Sequence, residues 1–231
     1  MRHVARKEKK YLLDISTAKR LEAKLAAVLS PDAHNGLFGY PIRSLYFDTL
    51  HDRDYVEKLF GCDPRRKVRL RTYDPRADFA LLELKQKQGE NQVKRSLQMN
   101  REEAQRLIDG DFSVLLERSE PFAAEMHALM SINGYSPKCI VEYDRTAFIA
   151  KENKIRVTFD RSIRATEASM RLFDDRLCLY PVFDPFNVVL EVKYNGFLLS
   201  YIKDAVGMAD KSELAVSKYC LGRSVRMGYQ F

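Results

Sequence analysis

Five segments of the chain set Lys, Arg or Glu at alternating positions among apolar neighbours: Lys67-Val68-Arg69-Leu70-Arg71, Leu82-Glu83-Leu84-Lys85, Tyr143-Asp144-Arg145, Ile155-Arg156-Val157 and Leu190-Glu191-Val192-Lys193. Successive side chains of a strand point to opposite faces, so Arg69 and Arg71 share one face and Val68 and Leu70 the other. Around these segments the pattern predicts a first strand ending at Tyr11-Leu12-Leu13. A helix follows over Thr17–Leu29, capped by Ser16, with Leu21, Leu25, Val28 and Leu29 at helical spacing. Arg43–Asp48 reads as a strand and Asp52–Phe60 as a short helix. Three meander strands are predicted at Arg66–Tyr73, Phe79–Lys87 and Gln92–Met99, with turns at Asp74-Pro75 and Gly89-Glu90-Asn91. Asn100 caps a helix through Glu103 and Leu107, and further helical stretches cover Asp111–Glu117 and Pro121–Ile132. Strands resume at Lys138–Ala150, Lys154–Arg161 and Val188–Tyr194; the last two flank an irregular insertion, Ala165–Asn187, with a hairpin at Arg176–Phe183. The tail from Leu198 reads as helical in pieces, ending with Ser217–Val225. Eight main strands with helices outside and at the ends predict a single α+β domain over residues 1–231.

The charged positions have two readings. An antiparallel sheet with one wet face carries the same alternation. The face of 140–149 that holds Arg145, however, also holds Val141, Tyr143, Ala147 and Ile149, and Val188–Lys193 is wholly apolar on the face opposite Glu191 and Lys193. Charges in strands covered on both sides must be paired or bind something, because an isolated buried ion costs several kcal/mol. An eight-stranded closed sheet has room inside for side chains or one small ligand. The expectation is therefore an eight-stranded antiparallel β tunnel lined by cations and a few carboxylates.

Composition narrows the occupant. The 231 residues are 45% hydrophobic and 31% charged, as in a globular protein. The 39 basic against 32 acidic residues give a net charge of +7, which favours an anionic partner. The basic residues are dispersed rather than gathered in a tail or recognition helix, which speaks against nucleic acid. Cys62, Cys139, Cys178 and Cys220 form no CxxC pair, and His3, His34, His51 and His127 form no metal pattern. No apolar run nears the roughly 18 residues of a membrane span, so a cytoplasmic protein is expected. Arg offers a planar fork and Lys a compact charge for phosphate oxygens, and a carboxylate flanked by Lys, such as Glu191, suits Mg²⁺ or Mn²⁺ bridging phosphates. No Ser/His/Asp or Cys/His set, P-loop or dinucleotide fingerprint occurs.

Eight motifs occur in order: Arg6-x-Glu8-x-Lys10-Tyr11, Ser44–Thr49, Val68–Tyr73, Leu82–Lys85, Tyr143–Phe148, Ile155–Asp160, Leu190–Lys193 and Ser217-Lys218-Tyr219. Together they resemble a VTC-type polyphosphate polymerase domain, of the triphosphate tunnel metalloenzymes related to CYTH-type triphosphatases, over nearly the whole chain. The resemblance implies a tunnel that binds ATP or triphosphate with Mn²⁺ or Mg²⁺. It implies that Lys10, Arg69, Arg71, Lys85, Lys94, Arg145, Arg156, Lys193 and Lys218 grip phosphates and that Tyr143 donates to a phosphate oxygen. It makes Glu191 the principal metal ligand, with Glu8 assisting, and places Lys10, Arg69, Arg71, Arg145 and Glu191 at the chemistry. Glu83 is expected to neutralise lumen cations. Lys94 is chosen over Arg95 because it shares a strand face with Ser96 and Gln98. The superfamily's opening ExExK has Arg6 in its first acidic place here, which is closer to the polymerase branch. The SPX domain and membrane helices of eukaryotic polymerases of this type are absent from the sequence, which reads as a solitary, bacterial-like form.

The functional expectation is a metal-dependent phosphotransferase that moves the terminal phosphoryl group of ATP onto a growing polyphosphate chain. The alternatives are an inorganic or nucleoside triphosphatase using the same tunnel, and a non-catalytic module binding polyphosphate or inositol polyphosphates.

Overall fold

The computed structural model describes residues 6–89, 91–207, 212–213 and 217–224. Eight strands have eight or more residues: β1 (Arg6–Asp14), β3 (Tyr40–Asp48), β4 (Arg65–Thr72), β5 (Phe79–Gln88), β6 (Asn91–Asn100), β7 (Ser136–Ala150), β8 (Ile155–Thr166) and β10 (Asn187–Asn195). Three two-residue strands, β2 (Ser30–Pro31), β9 (Tyr180–Pro181) and β11 (Ser212–Glu213), attach to them. All pair antiparallel in one sheet of order β11-β1-β10-β8-β7-β3-β4-β5-β6, with β2 on β7 and β9 on β8.

The sheet is not closed by hydrogen bonds. Among the described residues no backbone pairing joins β6 to β1 or β11, so the expected closed tunnel is instead a curled, open sheet. Its two margins nevertheless meet through side chains. Glu8 of β1 lies 3.5 Å from Lys85 of β5, and the Gln92 amide of β6, in its better-satisfied orientation, donates to Glu8 at 3.2 Å and accepts from Lys85 at 3.0 Å. The right-handed twist of successive strands brings these margins together, leaving a deep trough with a seam bridged by ions.

The convex face carries the core. Helix α1 (Ile15–Ala26) and α5 (Ser200–Gly207) cover Val157, Phe159, Leu190 and Val192. Helices α3 (Arg101–Ile108) and α4 (Pro121–Ile132), with a 3-10 turn at Phe112–Glu117, cover Val68, Leu70, Leu82 and Leu84. A capping box between Asn100 and Glu103 starts α3. Helix α1 begins earlier than expected: Asp14, not Ser16, is its N-cap, accepting from the backbone of Ser16 and Thr17 at 2.8 and 2.9 Å. No hairpin forms over 176–183, because Tyr180–Pro181 pairs with Arg164 and Ala165 of β8 rather than with its own neighbours. Strand β8 also runs past its expected end, through a bulge where Ser162 has φ +51°. The bulge switches the faces, so Asp160 and Ile163 both point into the trough.

Helix α2 (Arg53–Leu59) precedes β4, and α6 (Lys218–Arg223) enters the concave side, packing against β7 and β8. A side chain on Gly222 would put Cβ 2.6 Å from Val141 Cγ2 and 3.0 Å from Cys139 Sγ, so only glycine permits this approach. Ser217 caps α6; Val225, the expected end of this helix, lies outside the described residues.

Candidate functional site

The strand registers carry the alternating charges onto one concave surface. Lys10 faces Glu191 and Glu8 faces Lys193 across β1 and β10; Arg145 faces Asp160 across β7 and β8; Arg69 faces Glu83, and Lys85 faces Lys94, across β4, β5 and β6. Their alternates, Val68, Leu70, Leu82, Leu84, Val157 and Val192, are buried in the convex core.

Three buried carboxylates organise the cations. Glu83, 1% exposed, takes Arg69 Nε at 2.6 Å, Lys94 Nζ at 2.6 Å and Arg71 Nε at 3.7 Å. Burial pushes its pKa up, but these three charges outweigh burial and bring it to about 2. Asp160, fully buried, is gripped bidentately by Arg145 at 2.6 and 2.8 Å and by Lys218 at 2.5 Å, and likewise falls to about 2 against its burial. Glu191 takes Lys193 at 2.9 Å, Arg145 at 3.7 Å and Lys10 at 3.9 Å. Burial opposes its ionisation, yet Lys193, Lys10 and Lys218 hold it well below the usual carboxylate range. Glu8, beside Glu191, lies 3.0 Å from Lys10, 3.5 Å from Lys85 and 3.8 Å from Lys193.

Each residue expected from sequence is therefore on this surface, with differences in setting. Arg156 stands apart at one mouth, held by Asp32 at 2.7 Å and the Tyr40 hydroxyl at 2.9 Å. Lys218 points inward from α6 rather than into solvent. Arg95 points outward and forks onto Glu125 of α4, while Lys94 reaches Glu83. The Tyr143 ring, 2% exposed, lies 4.6 Å from Lys218 Nζ and 5.3 Å from the Arg145 guanidinium. Burial would raise its phenol pKa, but Arg145 and Arg71 carry it below the ordinary value. Lys85 is lowered to about 8, chiefly by burial, with Glu8 opposing and Lys193 and Lys10 adding repulsion.

Sequence reasoning left out several participants. Asp160 lay within a quoted motif without a role. Lys67 continues the alternation of Arg69 and Arg71, which was the signal for it; its ammonium donates to Ser217 Oγ at 2.6 Å, and no carboxylate among the described residues is within ion-pair distance. Tyr46 and Ser44 orient Arg69 and Arg71 through contacts of 3.1 and 3.4 Å. Among the described residues, Lys10, Lys67, Arg69, Arg71, Lys85, Lys94, Arg145, Arg156, Lys193 and Lys218, with Arg65 and Lys87 farther along β4 and β5, share the trough with the carboxylates Glu8, Asp32, Glu83, Asp160 and Glu191. The pairing offsets desolvation, and the surplus positive charge remains for an anion.

For a divalent metal, the described residues hold no cluster of three or more His, Cys, Asp or Glu side chains. The interacting pair Glu8 and Glu191 does fit Mg²⁺ or Mn²⁺, which take one or two carboxylates and complete their shell with water and substrate phosphates.

The family model for the VTC domain matches residues 5–226. The chain belongs to the VTC domain family. A solved structure of a candidate adenylate cyclase from Bacillus halodurans is similar, with TM-score 0.50 and 14% identity over 88% of each chain. A conserved hypothetical protein from Pyrococcus furiosus has TM-score 0.38 and 7% identity over 87% of this chain and 86% of that one. A chain of the Schizosaccharomyces pombe Mediator head module has TM-score 0.47 and 8% identity over 90% of this chain and 99% of that one. No curated protein matches the sequence. The first likeness shows the fold, an α+β arrangement around an antiparallel sheet; the VTC family is the one its motifs resemble. Among the described residues no helix is long and apolar enough to cross a membrane.

Proposed function

We propose that this VTC domain is a metal-dependent phosphotransferase that binds ATP or triphosphate in the cationic trough and transfers the terminal phosphoryl group to a growing polyphosphate chain. The bond from the terminal phosphorus to its bridging oxygen breaks, and the bridging oxygen leaves with the electron pair as part of ADP. A terminal oxygen of the acceptor chain forms the new P–O bond. Phosphoryl transfer asks mainly for positioning and charge neutralisation. Arg145, locked by Asp160, and Arg69, locked by Glu83 and Tyr46, present rigid forks to phosphate oxygens. Lys10, Lys193 and Lys85 turn from Glu8 and Glu191 toward the developing charge. Tyr143 donates its hydroxyl to a phosphate oxygen. A divalent cation held by Glu191 and Glu8 would neutralise the bridging phosphate.

The observation that carries this reading over hydrolysis is the length of the cationic row: Arg71, Arg69, Lys67 and Arg65 alternate along one face of β4 over about 20 Å of strand, more than three phosphates span. The acceptor adds no demand for a base, because a phosphate terminus is already anionic at neutral pH. The test incubates the protein with ATP and Mn²⁺ and reads ADP, free phosphate and long-chain polymer together, beside Glu191→Gln and Arg69→Ala. Polymer with ADP, lost in both variants, is expected. Free phosphate without polymer would make the protein a triphosphatase. Binding of triphosphate without turnover, unchanged in Glu191→Gln, would leave a polyphosphate or inositol-polyphosphate binding module.

A further inference from the structure

We infer that one mouth of the trough is a nucleobase site, formed by Tyr40, Tyr73 and His34, which receives the base of a nucleoside triphosphate whose phosphates occupy the trough; the inference rests on the phosphate site proposed above. The rings form a connected set. His34 and Tyr40 have centroids 6.1 Å apart at 60°, and Tyr40 and Tyr73 are 6.2 Å apart at 52°. Unlike Tyr46, Tyr143 and Tyr219, which are at most 3% exposed, the two outer rings of this set are open, Tyr73 being 42% exposed and the His34 side chain 82%, with the half-buried Tyr40 between them. Open, mutually tilted rings offer stacking faces to a planar ligand.

The set is also fixed in place, at the right distance from the cations. Asp32 and Asn35 tie their loop to β7: the Asp32 amide and the Asn35 Nδ2 both donate to the Ala147 carbonyl, at 2.9 and 2.8 Å, and the Ala147 amide donates back to Asn35 Oδ1 at 3.1 Å. Gly39, at φ +88°, lets the chain pass where a Cβ would sit 2.3 Å from the Arg145 carbonyl oxygen. Tyr40 is then in register with Arg145, and Arg156 braces its hydroxyl at 2.9 Å. Tyr73 stands two residues beyond Arg71, roughly 7 Å along the chain. The opposite end of β4 and β5 carries cations instead, Arg65 in register with Lys87. The trough therefore has a direction: base at the aromatic mouth, triphosphate inward past Arg145 and Arg71, terminal phosphoryl group toward Lys67 and the cationic end.

Calorimetric titration of the whole chain with ATP and, separately, with inorganic tripolyphosphate tests this. Tyr73→Ala is expected to weaken ATP binding about tenfold, the scale of one base-stacking contact, and to leave tripolyphosphate unchanged. Tyr73→Phe, which keeps the ring, is expected to bind both like the parent and guards against a fold defect. Equal loss for both ligands in Tyr73→Ala, or no loss for ATP, would overturn the base site while leaving the phosphate site standing. Failure of the parent chain to bind either ligand would overturn both.

Discussion

Lys67 donates to a serine hydroxyl where its neighbours Arg69 and Lys85 have carboxylates. Burial, reinforced by Lys10, Lys85 and Lys58, carries its ammonium well below the ordinary value. A polyanion entering the trough supplies the missing negative charge and raises that value again. Wherever Lys67 is neutral in the free chain, binding of tripolyphosphate should therefore take up protons, and affinity should fall as pH rises through that range. Calorimetry in buffers of different ionisation heat measures the uptake, and Lys67→Met should reduce it; a buffer-independent heat in the parent chain would refute the coupling. The alternation at 67–71 made the face of Lys67 legible in the sequence. Its partner was not, because Ser217 lies 150 residues away. Asp160 was legible in the same way, in phase with Arg156 on the expected strand, and its role escaped because its partners Arg145 and Lys218 come from β7 and α6.

At the scale of elements, the long strands and helices α2, α3 and α4 follow from hydrophobic period, with a capping box added at α3, and most bounds differ from expectation by a residue or two; the exceptions are β3, which starts three residues early at Tyr40, and β8, which runs five residues on to Thr166. The misplaced elements are those decided by distant contacts, such as the 176–183 segment that joins β8 instead of folding on itself. Helix α6 is the most consequential of the distant packings. Its Tyr219 hydroxyl donates to Asp48 at 2.6 Å, Arg223 reaches Asp52 at 2.8 Å, and Lys218 reaches Asp160. All three depend on the contact that Gly222 permits. Gly222→Ala forces α6 off β7 and should lower stability by about 1–3 kcal/mol, as overpacking does. It should also weaken tripolyphosphate binding, since Lys218 leaves its seat. Thermal unfolding and a binding isotherm on the same sample check both effects; an unchanged melting temperature would mean the helix is not held as described.

For the whole molecule, alternation shows which side chains share a face but cannot show whether the two margins of a sheet hydrogen-bond, because that depends on twist accumulated over every strand. The open seam, with Glu8 bridging to Lys85 and Gln92, was thus beyond the sequence, although the inward set of cations was not. The seam matters for what the trough can hold. The inward row on β4 runs Arg71, Arg69, Lys67 and Arg65, six residues or about 20 Å of strand, and Lys85 and Lys87 continue it on β5. Three phosphates do not fill such a row, and a longer chain does. Affinity should therefore rise from tripolyphosphate to longer linear polyphosphates and level off once the row is occupied. Arg65→Ala combined with Lys87→Ala should remove the gain for long chains and leave tripolyphosphate binding as it was. Equal affinities for short and long chains in the parent protein would instead confine the ligand to the Arg145 and Glu191 region, as a triphosphatase requires.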